Sequence, residues 1–280
     1  MFDRVRSGWG LTKKAWSVIR SHPGLAKLPL TGGALALVAF VVLGIPGALL
    51  VDSDSTGAAI GGIVVLAIAV YLASFTVTYF NVALAAAADQ AMRGEEPDLS
   101  GARGVARSRA GKIAAWALVS AGVSAVLGAL RGRGGVVGNI GASIGAEIWS
   151  LVTFLVVPVL AFEGIGPFAA MKRSAVLFRQ HWGQQVTGDL VIGGLSGLIV
   201  LAGIVIGVVG VVLLAGGGAG AEVLAGGLLI LAGVTAGVSA AVFGGATRGV
   251  FGVALYRYVA EDRTLGPFTT ADLDAAARTR

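Results

Sequence analysis

Long apolar runs separated by short polar breaks dominate the chain. Six of them occupy residues 28–51, 58–82, 112–130, 140–163, 188–215 and 221–247. A helix needs about 20 apolar residues to cross roughly 30 Å of hydrocarbon, so each run predicts a transmembrane helix; the third is the shortest. The last two are divided by Gly216–Gly220. Together they are too long for one span and suit a tight helical hairpin. The pattern predicts an all-α membrane protein with six spans in three hairpins. A basic amphipathic helix (1–27) precedes the bundle (28–262), and a tail (263–280) follows it.

Between the runs the period changes. After Pro167, the residues Phe168, Met171, Ala175, Phe178 and Trp182 recur at spacings of 3 and 4, with Lys172, Arg173 and Arg179 off the stripe. Such spacing marks one face of a helix, and proline suits its first position. Near the N-terminus Phe2, Val5, Trp9, Trp16 and Ile19 make a similar stripe, broken by Thr12 and flanked by Lys13, Lys14 and Arg20. Basic amphipathic helices lie in membrane interfaces with their cations near anionic headgroups. The expected roles of Lys13, Lys14, Arg20, Lys172, Arg173 and Arg179 are therefore contact with anionic lipid or with a protein partner.

Charge then sets orientation. If both termini share one side, that side holds 19 of the 21 Lys and Arg, and the other holds only Arg131 and Arg133. Cytoplasmic loops carry the excess of Lys and Arg, so both termini are expected in the cytoplasm of a multi-pass cell-membrane protein. The net charge of +6 thus reports topology, and no nucleic-acid partner is expected. Composition agrees: of 280 residues 56% are hydrophobic, 13% charged and 45 are glycine. A soluble domain has about 25% charged residues.

Parts of the chain resemble one another. Phe80-Asn81-Val82-Ala83-Leu84 matches Phe251-Gly252-Val253-Ala254-Leu255, and each precedes a proline, Pro97 or Pro267. Gly166-Pro167-Phe168 matches Gly266-Pro267-Phe268. The unit this suggests is two spans, a turn with proline, then an amphipathic helix.

Candidate chemistry is sparse. The absence of cysteine excludes disulfides and thiolate sites. Gly141-Ala142-Ser143-Ile144-Gly145 fits G-x-S-x-G, but a nucleophile elbow needs a preceding strand and a histidine, and neither is expected beside Ser143. No phosphate loop or zinc motif occurs, so no cofactor, no metal and no enzymatic activity are expected. Small-xxx-small pairs (Gly193/Gly197, Gly203/Gly207, Gly233/Gly237, Gly245/Gly249) favour close helix packing. The site-like feature is a set of polar residues at or near the span ends: Asn81, Glu147, Glu163, Asp189 and Arg248. Ionisable groups within a membrane default to functional candidates, so these five are expected to line a cavity or form a polar cluster.

Four segments carry a family resemblance: Phe80–Leu84, Thr153–Glu163, Lys172–Gly183 and Ala254–Tyr258. With them the chain resembles an uncharacterised prokaryotic family of six-span membrane proteins, a domain of unknown function. More loosely it is similar to the membrane domain found beside some glycerophosphodiester phosphodiesterases. The resemblance implies six spans and supplies no activity; the hydrolase that such domains accompany has no counterpart here. The expected function is a non-enzymatic scaffold or partner-binding protein, with membrane lipids and a cytoplasmic protein as partners. A small-solute transporter or channel is the alternative, and a lipid-acting enzyme a weaker one.

Overall fold

The structure is a computed structural model, and it describes residues 2–133, 135–181, 202, 205–213 and 220–277. Every regular element among them is helical. In chain order these are α1 (Phe2–Ser21), α2 (Gly24–Ala39), a π-helical turn (Phe40–Gly44) leading into α3 (Ile45–Val51), α4 (Thr56–Met92), α5 (Leu99–Ser108) and α6 (Ala110–Arg133). There follow α7 (Gly135–Thr153), α8 (Val156–Phe162), α9 (Pro167–His181), α10 (205–213), α11 (Ala221–Glu261) and α12 (Thr270–Ala277).

Local chemistry explains the boundaries. Pro46 cannot donate to the carbonyl four residues back, and the π turn just before it absorbs the lost bond. Ser55 caps α4 by accepting from Ala58 N, and Asp98 caps α5 by accepting from Ser100 N. Left-handed glycines stop two helices three residues before a proline, Gly94 before Pro97 and Gly164 before Pro167. A helix follows each of Pro97, Pro167 and Pro267, as the repeat unit requires.

Four stretches are long and apolar enough to cross a membrane: Gly24–Val51, Thr56–Met92, Ala110–Gly132 and Val223–Glu261. They correspond to the first, second, third and sixth predicted spans. The fourth, 140–163, is not one helix. It is interrupted at Phe154–Leu155 between α7 and α8. Pro158, at the third position of α8, is incompatible with a helical carbonyl at Phe154. Most of the fifth lies outside the described residues.

The central helix is α4, which packs against α2, α3, α5, α6, α8 and α11. Both α4 and α11 run well past the predicted span ends at 82 and 247, and these extensions carry the core. Val82 to Ala85, Ala87, Ala88, Val250, Phe251 and Val253 to Tyr256 are all buried. By contrast the apolar windows of the four candidate spans are mostly exposed. The larger buried side chains thus gather at one end, here termed the base, while away from it α3 meets α4 and α10 meets α11 in close pairs.

The faces of α9 and α1 that pack within the chain lie largely apart from their predicted aromatic stripes. Among the described side chains of α9, Ala170, Ser174 and Leu177 are buried, whereas Phe168 is 73% exposed. In α1 the buried face is Leu11, Thr12, Ala15, Val18 and Ile19, while Trp9 and Trp16 lie outward. Helices pack closely where side chains are small, and in α1 and α9 Trp9 and Phe168 stay exposed. The same rule acts between α3 and α4: a β-carbon on Gly62 would lie 2.6 Å from the Gly47 carbonyl oxygen. One on Gly210 would lie equally close to the Gly226 oxygen, so α10 meets α11 backbone to backbone. Among the predicted small-residue pairs, Gly249 packs on Leu84, whereas Gly207, Gly237 and Gly245 face open space.

Candidate functional site

The base is held by a polar network across four helices. Asp89 of α4 is 3% exposed. Arg257 of α11 grips it with both prongs of its guanidinium, Nε donating to Oδ1 at 2.9 Å and Nη2 to Oδ2 at 3.0 Å. Arg93, one turn along α4, adds a contact to Oδ2 at 3.1 Å. The Arg257 guanidinium also bonds Glu261 and lies 4.3 Å from the Phe162 ring centre. Planar, bidentate pairing of this kind is the specialty of arginine.

A second carboxylate lies alongside. Glu163, at the C-terminus of α8, accepts at Oε1 from Arg173 Nε and from the Tyr256 hydroxyl, both at 2.9 Å. Phe162 stacks on Tyr256 with centroids 5.4 Å apart. The two carboxylates are therefore joined through adjacent residue pairs, Phe162–Glu163 on one side and Tyr256–Arg257 on the other.

The turn after Glu163 is held from α6. Gly164 adopts φ +57°, a conformation that favours glycine. Arg109 packs directly on it, and Lys112 Nζ donates to its carbonyl. At the α7–α8 interruption, Leu155 N donates to Ser174 Oγ at 3.2 Å, and Ser174 is fully buried. The hydroxyl thus satisfies a backbone donor that the helix break sets free.

A third cluster fastens the two ends of the chain. Lys14 of α1 pairs with Asp272 of α12. Asp272 also accepts from Thr269 N at 2.8 Å, closing the N-terminus of α12, and Tyr258 donates to Asp274 at 2.6 Å. Burial pushes the Asp272 carboxyl up, but the Lys14 ammonium and the Thr269 donors outweigh it and hold it below the usual carboxylate range.

The five predicted polar residues do not form one group. Glu163 belongs to the network above. Asn81 lines an apolar groove. Glu147 and Arg248 are exposed, and Asp189 lies outside the described residues, as does Trp182. Of the six predicted contact cations, Lys14 and Arg173 are engaged within the chain, whereas Lys13, Arg20, Lys172 and Arg179 are exposed. Ser143 is helical, its hydroxyl bonding the Asn139 carbonyl at 2.8 Å; the G-x-S-x-G match is a helix surface and not a strand-to-helix elbow.

Sequence reasoning missed Asp89 and Arg257. The available signal was a single carboxylate inside the alanine-rich run 83–91 and a single arginine in the apolar run 250–260. Both runs continue the helical spans that precede them.

The Asn81 groove lies between α2, α4 and α11. It has a volume of about 420 Å³, and its walls include Pro29, Gly33, Leu37, Val77, Asn81 and Gly245.

Described elements that are all helical, four of them able to cross a bilayer and joined at a polar base, make the architecture of a helical membrane protein. The chain belongs to the family described as "Family of unknown function (DUF6159)", whose model matches residues 59–266. The match covers α4 through the start of the α11–α12 turn, including Asp89, Glu163, Arg173 and Arg257. It carries no link to the phosphodiesterase-associated membrane domains. No curated protein and no solved structure matches the chain.

Proposed function

We propose that this chain is a six-span protein of the cell membrane, with three hairpins and both termini in the cytoplasm, that acts as a non-enzymatic scaffold. One observation carries the reading: Asp89 and Glu163, the carboxylates within the base, are closed onto Arg257, Arg93, Arg173 and Tyr256. Groups that close on one another hold helices together and leave little for turnover. Around this base Lys13, Arg20, Lys172 and Arg179 stay exposed, and α5 adds Arg103 and Arg107. This cationic rim suits anionic headgroups and an acidic partner surface.

The chain has no cysteine, so single cysteines report topology directly. Cysteines at Arg20 and Lys172 are expected to react with an impermeant maleimide only after the membrane is opened, and one at Ser53 in intact cells. Reversing Lys172 and Arg179 to Glu is expected to reduce partner cross-linking in cells without lowering the amount of protein. Unchanged cross-linking counts against the scaffold.

A transporter or channel is the second reading, favoured by the helix interrupted at Phe154–Leu155. Interrupted helices form substrate sites in many transporters. Solute flux into liposomes carrying the purified protein would establish it over the scaffold.

A further inference from the structure

The groove between α2, α4 and α11 has a polarity gradient along its length. Helix α2 runs away from the base, and α4 and α11 run toward it. The outer end of the groove is therefore formed by Leu37, Val77 and Gly237, and the end nearest the base by Pro29, Asn81 and Gly245. The outer walls are hydrocarbon and glycine. Asn81 brings an amide to the inner end. Beyond that end come two exposed cations, Lys27 and Arg248. Lys27 is three residues before Leu30 of the groove wall, and Arg248 three residues after Gly245. Residues three apart share a helix face, and three residues advance a helix by about 4.5 Å. The cations thus stand one short step past the amide on the groove's own faces.

We propose that this groove is a binding site for one anionic glycerophospholipid. The order along it, apolar walls, then an amide, then cations, is the order of acyl chain, ester and phosphate in such a lipid. The groove is open beside two of its glycines: a β-carbon at Gly33 or Gly245 would meet nothing within 4 Å. This site is independent of the scaffold reading, since its residues lie apart from the base network.

The test uses the full chain in detergent and in nanodiscs of phosphatidylglycerol or phosphatidylcholine, with retained lipid counted by native mass spectrometry. Wild-type protein is expected to keep one phosphatidylglycerol and to prefer it over phosphatidylcholine. Lys27→Gln is expected to weaken phosphatidylglycerol retention about fivefold, the effect of one interfacial cation, and to leave phosphatidylcholine unchanged. Gly33→Leu fills the groove and is expected to abolish retention of both, while Gly33→Ala leaves it intact. Helicity and melting temperature of each variant confirm folding. Equal retention by wild type, Lys27→Gln and Gly33→Leu overturns the proposal. So does competition by inorganic phosphate alone, which would indicate a free-anion site. Loss of a dimer in Gly33→Leu without loss of lipid overturns it too, and would assign the groove to a second copy of the chain.

Discussion

Asp89 and Arg257 are 168 residues apart in sequence and meet through two parallel hydrogen bonds of 2.9 and 3.0 Å. The pair ties α4 to α11 at the level where both helices are most buried. Removing one member leaves the other's charge without its chief partner, at a cost of about 3 kcal/mol. Arg257→Met is therefore expected to lower the unfolding free energy in detergent by that amount. The double variant Asp89→Leu/Arg257→Met should recover a large part of the loss, since two apolar side chains then replace a desolvated pair. Denaturant titrations of the four proteins check this; a double variant as weak as the sum of its singles contradicts it.

The helix interruption gives a second test. Ser174→Ala removes the acceptor of Leu155 N, and a buried donor without a partner costs about 1–3 kcal/mol. The expected signature is a lower melting temperature with faster amide exchange confined to α8 and α9. Uniform loss of protection would mean that the hydroxyl serves the whole bundle rather than the break.

Neighbouring glycines on α4 should respond with opposite signs. A β-carbon at Gly62 would collide with the backbone of α3, whereas one at Gly61 meets nothing within 4 Å. Gly62→Ala is expected to destabilise by about 1–3 kcal/mol, the cost of overpacking. Gly61→Ala should stabilise by up to about 1 kcal/mol through helix propensity. Paired melting curves decide the matter, and equal effects would place the α3–α4 contact elsewhere.

Acid should release the tail from the N-terminal helix. The Asp272 carboxyl is held below its usual range by Lys14 and Thr269. Its contribution is present above the unfolded value of about 3.9 and is lost as pH falls below that value through the folded one. Spin labels at Ser17 and Thr270 should keep a constant separation between about pH 5 and 8 and move apart below about pH 3.9. Asp272→Asn should give the wider separation already at neutral pH. A separation that does not change in acid would mean that α12 is held by the burial of Leu273 and the Tyr258–Asp274 bond without help from Lys14.

The sequence pattern made the apolar helices legible, because each needs only a long run of one residue class. Four of the six predicted spans correspond to helices of sufficient length. The interruption in the fourth was visible only as Pro158, whose effect depends on Ser174, 19 residues beyond Leu155. The aromatic stripes of α1 and α9 were read as faces turned to the membrane interface, and the faces packed within the chain carried little signal. Ala15, Ala170 and Ser174 do the packing, and small residues give a weak periodic signal. The candidate site was half legible. Glu163 stood out at a span end, while Asp89 and Arg257 were hidden inside helices that continue past the point where apolar length alone requires them to stop.

That continuation has a mechanical consequence. Helix α4 has 37 residues and α11 has 41, which at 1.5 Å per residue makes them about 55 and 60 Å long. In the proposed reading a bilayer covers roughly 30 Å of each, which leaves a third or more of both outside the hydrocarbon. In the proposed membrane reading the two helices are levers, each with one arm in lipid and the other in water. Any tilt imposed on the lipid arms by a change in bilayer thickness is carried by unbroken helices into the other arms, where Asp89 and Arg257 clamp the two levers together.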